Sequence, residues 1–340
     1  MKSFRSMQVT RPGLLELVER PVPEPGRGEV RIRVEACGVC GADAGAIEGT
    51  SPNLQFPRVP GHEVAGRIDA LGEGVSGWTV GQRVGVGRLG GHCGECPECR
   101  EGEFVHCRNQ PVVGLTQDGG YAQAMLARST GLVSLPDEIP AVEAAPLLCA
   151  GLTTFNALRN SGARAGDLVA IHGVGGLGHL AVQFARKMGF RVAAVTRGSS
   201  SREAIVALGA QHFIDSEQED AAKALKALGG AKAIVSTASH GPAVSAILPG
   251  LGIRGRMIVA GTGKEPIAVS PSLLVNGRRS IEGTLTGTPA ESERALRFCV
   301  AEGVRARIEV LPLERAFEAY QRMARREARF RMVLAVDAYQ

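Results

Sequence analysis

The stretch from Leu168 to Thr196 restricts the fold more than any other part of the chain. An apolar run, Leu168 to His172, enters Gly173-Val174-Gly175-Gly176-Leu177-Gly178, and a helical pattern from Leu177 to Met188 leads into a second apolar run, Arg191 to Thr196. Strand, glycine turn, helix and strand in that order predict a βαβ unit with its two strands parallel in one sheet. The alternation continues with a helix at Arg202 to Leu208, a strand near Phe213, a helix at Asp220 to Leu228, and strands at Ala233 to Ser236 and Met257 to Ala260. The predicted fold class is α/β, with a doubly wound parallel sheet of the Rossmann type. In such a turn the backbone amides and the helix N-terminus can approach a diphosphate. Gly173, Gly175, Gly176, Leu177 and Gly178 are therefore candidate dinucleotide-binding positions.

Upstream the rhythm differs. Glu29 to Glu35 alternates apolar with charged residues, the period of a half-buried strand, and glycine and proline recur from Pro52 to Gly91 around the short apolar runs Val64 to Ile68 and Arg83 to Val86. This part is β-rich. Val142 to Ala157 reads as one helix leading into the nucleotide region. After Gly287, helices at Glu291 to Glu302 and Leu313 to Arg325 and a strand at Arg329 to Val336 are too little for a third domain, so they are expected to return to the first. A chain of 340 residues is long for one core. Two domains are expected: residues 1–148 with 287–340, and residues 149–286.

The net charge of +5 is spread along the chain without like-charge blocks or aromatic–basic interleaving, which disfavours a nucleic-acid partner. No uncharged apolar run reaches the length of a membrane span, and Met1 to Gly13 has no apolar core of a signal peptide. The expectation is a cytoplasmic protein with no membrane partner. Its eight cysteines are then better read as thiols and metal ligands than as disulfides.

Cys93, Cys96, Cys99 and Cys107 fall close together, and small or turn-forming residues separate the first three. Short loops fold such sulfurs to a common side, and a four-thiolate tetrahedron is a closed structural zinc site. Four free surface thiols would instead be an oxidation-prone cluster with no gain in packing, and the spacing matches no ferredoxin pattern. Cys40, His62 and Cys149 are scattered by comparison. On spacing alone they are weak evidence for ligation and read more readily as small buried hydrophobes and a satisfied core or surface histidine; Cys37 and Cys299 read as core residues.

The order of the pieces is more specific than any one of them. Cys40-Gly41-Ala42-Asp43, Gly61-His62-Glu63, the four-Cys lobe, Asp118-Gly119-Gly120-Tyr121-Ala122, Cys149 and the glycine turn together resemble the zinc-dependent alcohol dehydrogenases of the medium-chain dehydrogenase/reductase family over essentially the whole chain. The resemblance implies a GroES-like fold for the β-rich domain. It implies two zinc ions per chain, the catalytic one on Cys40, His62 and Cys149, with Glu63 able to ligate transiently and Asp43 orienting His62. It further implies Thr153 touching the nicotinamide, Gly261 beside it and Arg331 on the pyrophosphate. The implied assembly is a homotetramer or homodimer. The implied reaction is hydride transfer between nicotinamide C4 and a zinc-bound alcohol or carbonyl.

Two departures qualify that expectation. Relatives relay the alcohol proton through His and Ser or Thr directly after the first ligand and another His shortly beyond, where this chain has Gly41, Ala42 and Gly45. None of these has a side chain that donates or accepts a proton. An imine substrate, preformed as an iminium ion, needs only hydride, so imine reduction on the same scaffold is an alternative to alcohol or carbonyl chemistry. A third reading is a non-catalytic redox sensor with zinc in the lobe alone. The second departure follows the second strand of the βαβ unit: Thr196-Arg197-Gly198-Ser199-Ser200-Ser201-Arg202 contains no acid for a ribose diol. Thr196, Arg197, Ser199 and Arg202 suit a 2′-phosphate, so NADP(H) is expected to be preferred, with NAD(H) possible.

Overall fold

The strand Glu29–Val39 turns Val30, Ile32 and Val34 inward, and the computed structural model, which describes residues 3–52 and 54–339, builds a sheet around it. It pairs antiparallel with Val64–Leu71, Ala124–Arg128 and Arg331–Ala335. Arg83–Val86 and Leu132–Ser134 extend one side, and Ile308–Pro312, parallel to Arg331–Ala335, extends the other. A hairpin of Ser3–Arg11 and Leu14–Pro21, which the sequence reading did not name, adds Phe4, Met7 and Val9 to the same core. These strands belong to a unit comprising Met1–Cys149 and Gly287–Gln340, the chain returning through the helix Pro289–Glu302. Thr288 and Glu291 cap that helix reciprocally, each side chain accepting from the other's backbone N–H.

Ala150–Thr286 forms the second unit. Among the described residues its sheet has six strands in the order His212–Asp215, Arg191–Thr196, Leu168–His172, Ala231–Ser236, Leu251–Val259 and Ser280–Gly283, all parallel. That is the Rossmann order, reversing direction beside the first strand. Leu168–His172 is buried along its whole length, as a central parallel strand covered on both faces should be. The helices Gly241–Ile247 and Pro271–Gly277 and the edge strand Ser280–Gly283 complete the unit. Among the described residues no single helix is long and apolar enough to cross a membrane.

One expected element is different. The single helix read over Val142 to Ala157 is a short helix, Ala141–Ala144, a 3-10 turn, Ala145–Leu148, and a separate helix, Ala150–Arg159. Pro146 cannot supply a helical N–H, and Cys149 leaves helical geometry at φ −126° and ψ −72°. The apolar pattern alone does not register that interruption.

Candidate functional site

Cys40 follows directly on the central strand Glu29–Val39 and opens a single turn, Gly41–Asp43. Asp43 folds back so that its Oδ2 accepts from the Cys40 backbone N–H at 2.9 Å. Its Oδ1 lies 2.8 Å from Nδ1 of His62, with both side chains buried. Gly61, at φ +97°, turns the chain just before His62. The other ring nitrogen of His62, Nε2, is buried and has no hydrogen-bond partner among the described residues. Around it stand Cys40, Glu63 and Cys149, and one ligating atom from each of the four residues lies within 4.8 Å of the others.

An orphaned imidazole nitrogen facing two thiols and a carboxyl is a donor set for a cation, and nitrogen with sulfur suits zinc. The electrostatics agree. Burial by itself would depress His62, but the Asp43 and Cys40 negative charges outweigh it and raise the imidazole to about 10. The cluster therefore draws positive charge, which a metal ion can supply in place of that proton. Burial raises the Glu63 carboxyl to about 8 against the opposing pull of Arg331. Arg331 Nη2 donates to both carboxylate oxygens of Glu63, while its buried Nε has no partner among the described residues. Gly38 is required beside this pair, since a Cβ there would lie 1.9 Å from Glu63 Oε2.

The thiols of Cys93, Cys96, Cys99 and Cys107 form a second such cluster, packed with Phe104 in a small core of their own. Gly94, at φ +78°, and the helical turn Pro97–Arg100 bring the sulfurs round. Cys93 and Cys107 approach to 3.6 Å, and all eight cysteines are free thiols. Amides of Glu95 and Cys96 lower the Cys93 thiol to about 6, favouring the thiolate that ligates metal.

In the parallel-sheet unit, Gly173 leaves its strand at φ +87°, and Thr237 Oγ1 donates to its carbonyl at 2.7 Å. Gly178 starts the helix Gly178–Lys187 against that same carbonyl, where a Cβ would come within 2.0 Å. Gly175 is exposed with open space around it, and Gly176 and Leu177 are half-buried. Past the end of the neighbouring strand, Arg197 and Ser199 are exposed, Thr196 is half-buried, and the Arg202 guanidinium lies 5.3 Å from the Phe213 ring centroid. Gly261 packs on the Ala238 carbonyl, and Thr153 Oγ1 donates to Leu285 O at 3.3 Å.

Residues 26–137 match the family described as alcohol dehydrogenase GroES-like domain, and residues 176–301 match the zinc-binding dehydrogenase family. Over 95% of both chains, this sequence is 42% identical to alcohol dehydrogenase notN of Aspergillus sp. (strain MF297-2). The chain belongs to the zinc-type medium-chain alcohol dehydrogenases. A Sorghum bicolor cinnamyl alcohol dehydrogenase superposes with a TM-score of 0.90 at 30% identity, covering 98% of each chain. The Helicobacter pylori cinnamyl alcohol dehydrogenase complexed with NADP(H) gives 0.86 at 25% identity, covering 98% of this chain and 99% of that one.

In this dehydrogenase Gly41 is exposed and a Cβ there would meet nothing within 4 Å, whereas Ala42 is half-buried. At Gly45 the place of a side chain is filled by the Ser51 hydroxyl, 2.1 Å from where a Cβ would be. Arg331, expected on the cofactor, has Glu63 as its partner, a pairing that the separation of 268 residues hides from sequence patterns. Sequence reasoning also missed Asp215, an acid at the end of its strand. Its Oδ1 is occupied by the amides of Gly198, at 2.8 Å, and Glu217, at 3.0 Å.

Proposed function

We propose that Cys40, His62 and Cys149 hold a zinc ion with Glu63 as an exchangeable ligand, that the four-Cys lobe holds a second, and that the enzyme exchanges hydride between NADP(H) and an alcohol or carbonyl. The buried, unpartnered Nε2 of His62 among two thiols and a carboxyl carries this reading. A zinc ion with three protein ligands and an open position supplies Lewis-acid polarisation of a carbonyl or alcohol oxygen. Asp43 fixes the tautomer that presents Nε2 inward. Arg331 draws the Glu63 carboxylate to itself, leaving the remaining position for substrate.

The glycine turn at 173–178 supplies amides for a pyrophosphate, and the exposed Arg197, which forms no ion pair among the described residues, supplies a cation for a 2′-phosphate. The NADP(H) complex of the Helicobacter pylori relative is consistent with that assignment. Exposed Ile253, Val275 and Leu285 support a self-associating enzyme, a homodimer or homotetramer, which light scattering would detect.

Metal analysis of the purified enzyme should give about two zinc ions per chain. Cys40→Ser should lose one of them and about a thousandfold or more of turnover. A parent with one zinc, unchanged by Cys40→Ser, would refute the proposal. Gly41, Ala42 and Gly45 favour imine reduction as the second reading, because no side chain there moves a proton. A panel of aldehyde, ketone and cyclic imine with NADPH separates the two.

A further inference from the structure

We propose that Tyr121 is a positioning residue for His62, acting through Asp43; this rests on the reading of His62 as a zinc ligand. Tyr121 is fully buried, and its hydroxyl donates to Asp43 Oδ2 at 3.0 Å. The same carboxylate receives the Cys40 backbone N–H on Oδ2 and faces His62 Nδ1 with Oδ1. Asp43 is thus fixed by three groups. Two belong to the proposed ligands themselves, and the phenol is the outer support that prevents the carboxylate from rotating between them.

The backbone explains why Tyr121 can serve as a fixed reference. Tyr121 N–H donates to Pro60 O at 3.0 Å, Gly120 N–H to Gly61 O at 2.9 Å and Gly119 N–H to Val59 O at 2.8 Å. Asp118 Oδ1 accepts from Val59 N–H at 3.1 Å and from Arg58 Nη1 at 2.8 Å. Four successive residues, 118–121, are therefore bonded to the segment that delivers His62. The ring of Tyr121 lies over Gly61, where a Cβ would come within 2.3 Å of Cδ1, so ring and ligand loop are in direct contact. The phenol thus reaches Asp43 from a frame already attached to the His62 loop, and it closes a ring of contacts through His62, Asp43 and Tyr121. Partners one step removed from a metal typically change its affinity ten- to a hundredfold.

Tyr121→Phe removes the hydroxyl and keeps the ring. In the full-length zinc-loaded enzyme it should lower affinity at the Cys40–His62–Cys149 site by about tenfold or more in chelator competition, and alter the visible spectrum of cobalt placed there. Zinc in the four-Cys lobe should be retained. Asp43→Asn should produce a comparable loss, and the double variant little more than either alone. Parent-like zinc affinity and cobalt spectrum in Tyr121→Phe, or fully additive losses in the double variant, would overturn the proposal.

If Tyr121→Phe does not fold, the intact enzyme provides a second measurement. Its three tyrosines can be replaced by 3-fluorotyrosine and assigned with Tyr320→Phe and Tyr339→Phe. Removing the catalytic zinc should shift the Tyr121 fluorine resonance more than the other two; an unmoved resonance overturns the proposal. A parent that binds zinc only in its lobe overturns the ligand reading as well. Two zinc ions with a silent Tyr121→Phe overturn the Tyr121 role alone.

Discussion

His172 and Ser236 face each other across the ends of two adjacent parallel strands, with imidazole Nδ1 3.0 Å from the serine hydroxyl. Burial disfavours the charged ring and lowers His172 to about 4. From pH 6.5 down to about 4 the unfolded chain takes up a proton that the folded chain refuses, so stability present above 6.5 falls with pH and levels out below 4. The expected loss across that window is about 3 kcal/mol. Amide hydrogen exchange of Leu168–His172 should show it in the parent and not in His172→Gln. The same pH profile in both would show that the ring contributes nothing.

Cys96 lies in a thiol cluster that packs with Phe104 rather than with the main cores, so a zinc ion bound there would do what apolar burial does elsewhere. Cys96→Ser should release one zinc and lower stability by roughly 2 kcal/mol or more, several degrees in melting temperature. Cofactor binding should be little affected. Equal melting temperatures at equal zinc content would contradict this.

The strands Leu168–His172 and Arg191–Thr196 were legible to the residue because hydrophobic runs bounded by glycine and charge have no competing reading. The clustering of the four lobe thiols was legible because they are local in sequence. The hairpin at Ser3–Pro21 was not, since its strands mix apolar and polar residues loosely and only pairing settles them. Tyr121 and Asp43 are 78 residues apart, and the aromatic side chain in a glycine-rich segment reads as packing until the hydroxyl is seen to have a partner. The break at Cys149 was hidden for a different reason. Helical periodicity continues through it while the backbone does not.

Arg197 is exposed beyond its strand and forms no ion pair among the described residues, and the nearby acid Asp215 is engaged by backbone amides. NADPH should therefore be used more efficiently than NADH. Arg197→Asp should reverse the order by repelling a 2′-phosphate and offering an acceptor to a ribose diol. The ratio of kcat/KM for the two cofactors measures this, and a parent that favours NADH would refute it.

Ala42 sits between Cys40 and Asp43, so a hydroxyl introduced there is held by the same turn that fixes both neighbours. Hydride transfer and proton transfer are separable steps, and this chain has side chains suited to the first while Gly41, Ala42 and Gly45 offer none for the second. Ala42→Ser should raise alcohol oxidation. A well-placed acid–base group is worth on the order of a hundredfold, and the gain should be smaller here because Gly41 and Gly45 leave the path to solvent incomplete. Of those two, Gly41 has room for a side chain, whereas one at Gly45 must first displace the Ser51 hydroxyl. Adding Gly41→His to Ala42→Ser should therefore extend the gain further than adding Gly45→His. Reduction of a cyclic imine should not rise in parallel, since a preformed iminium accepts hydride without a proton. The comparison requires equal zinc content and saturating cofactor. If alcohol turnover stays level or falls under those conditions, proton transfer does not limit the reaction, and the bare turn after Cys40 is not what restrains it.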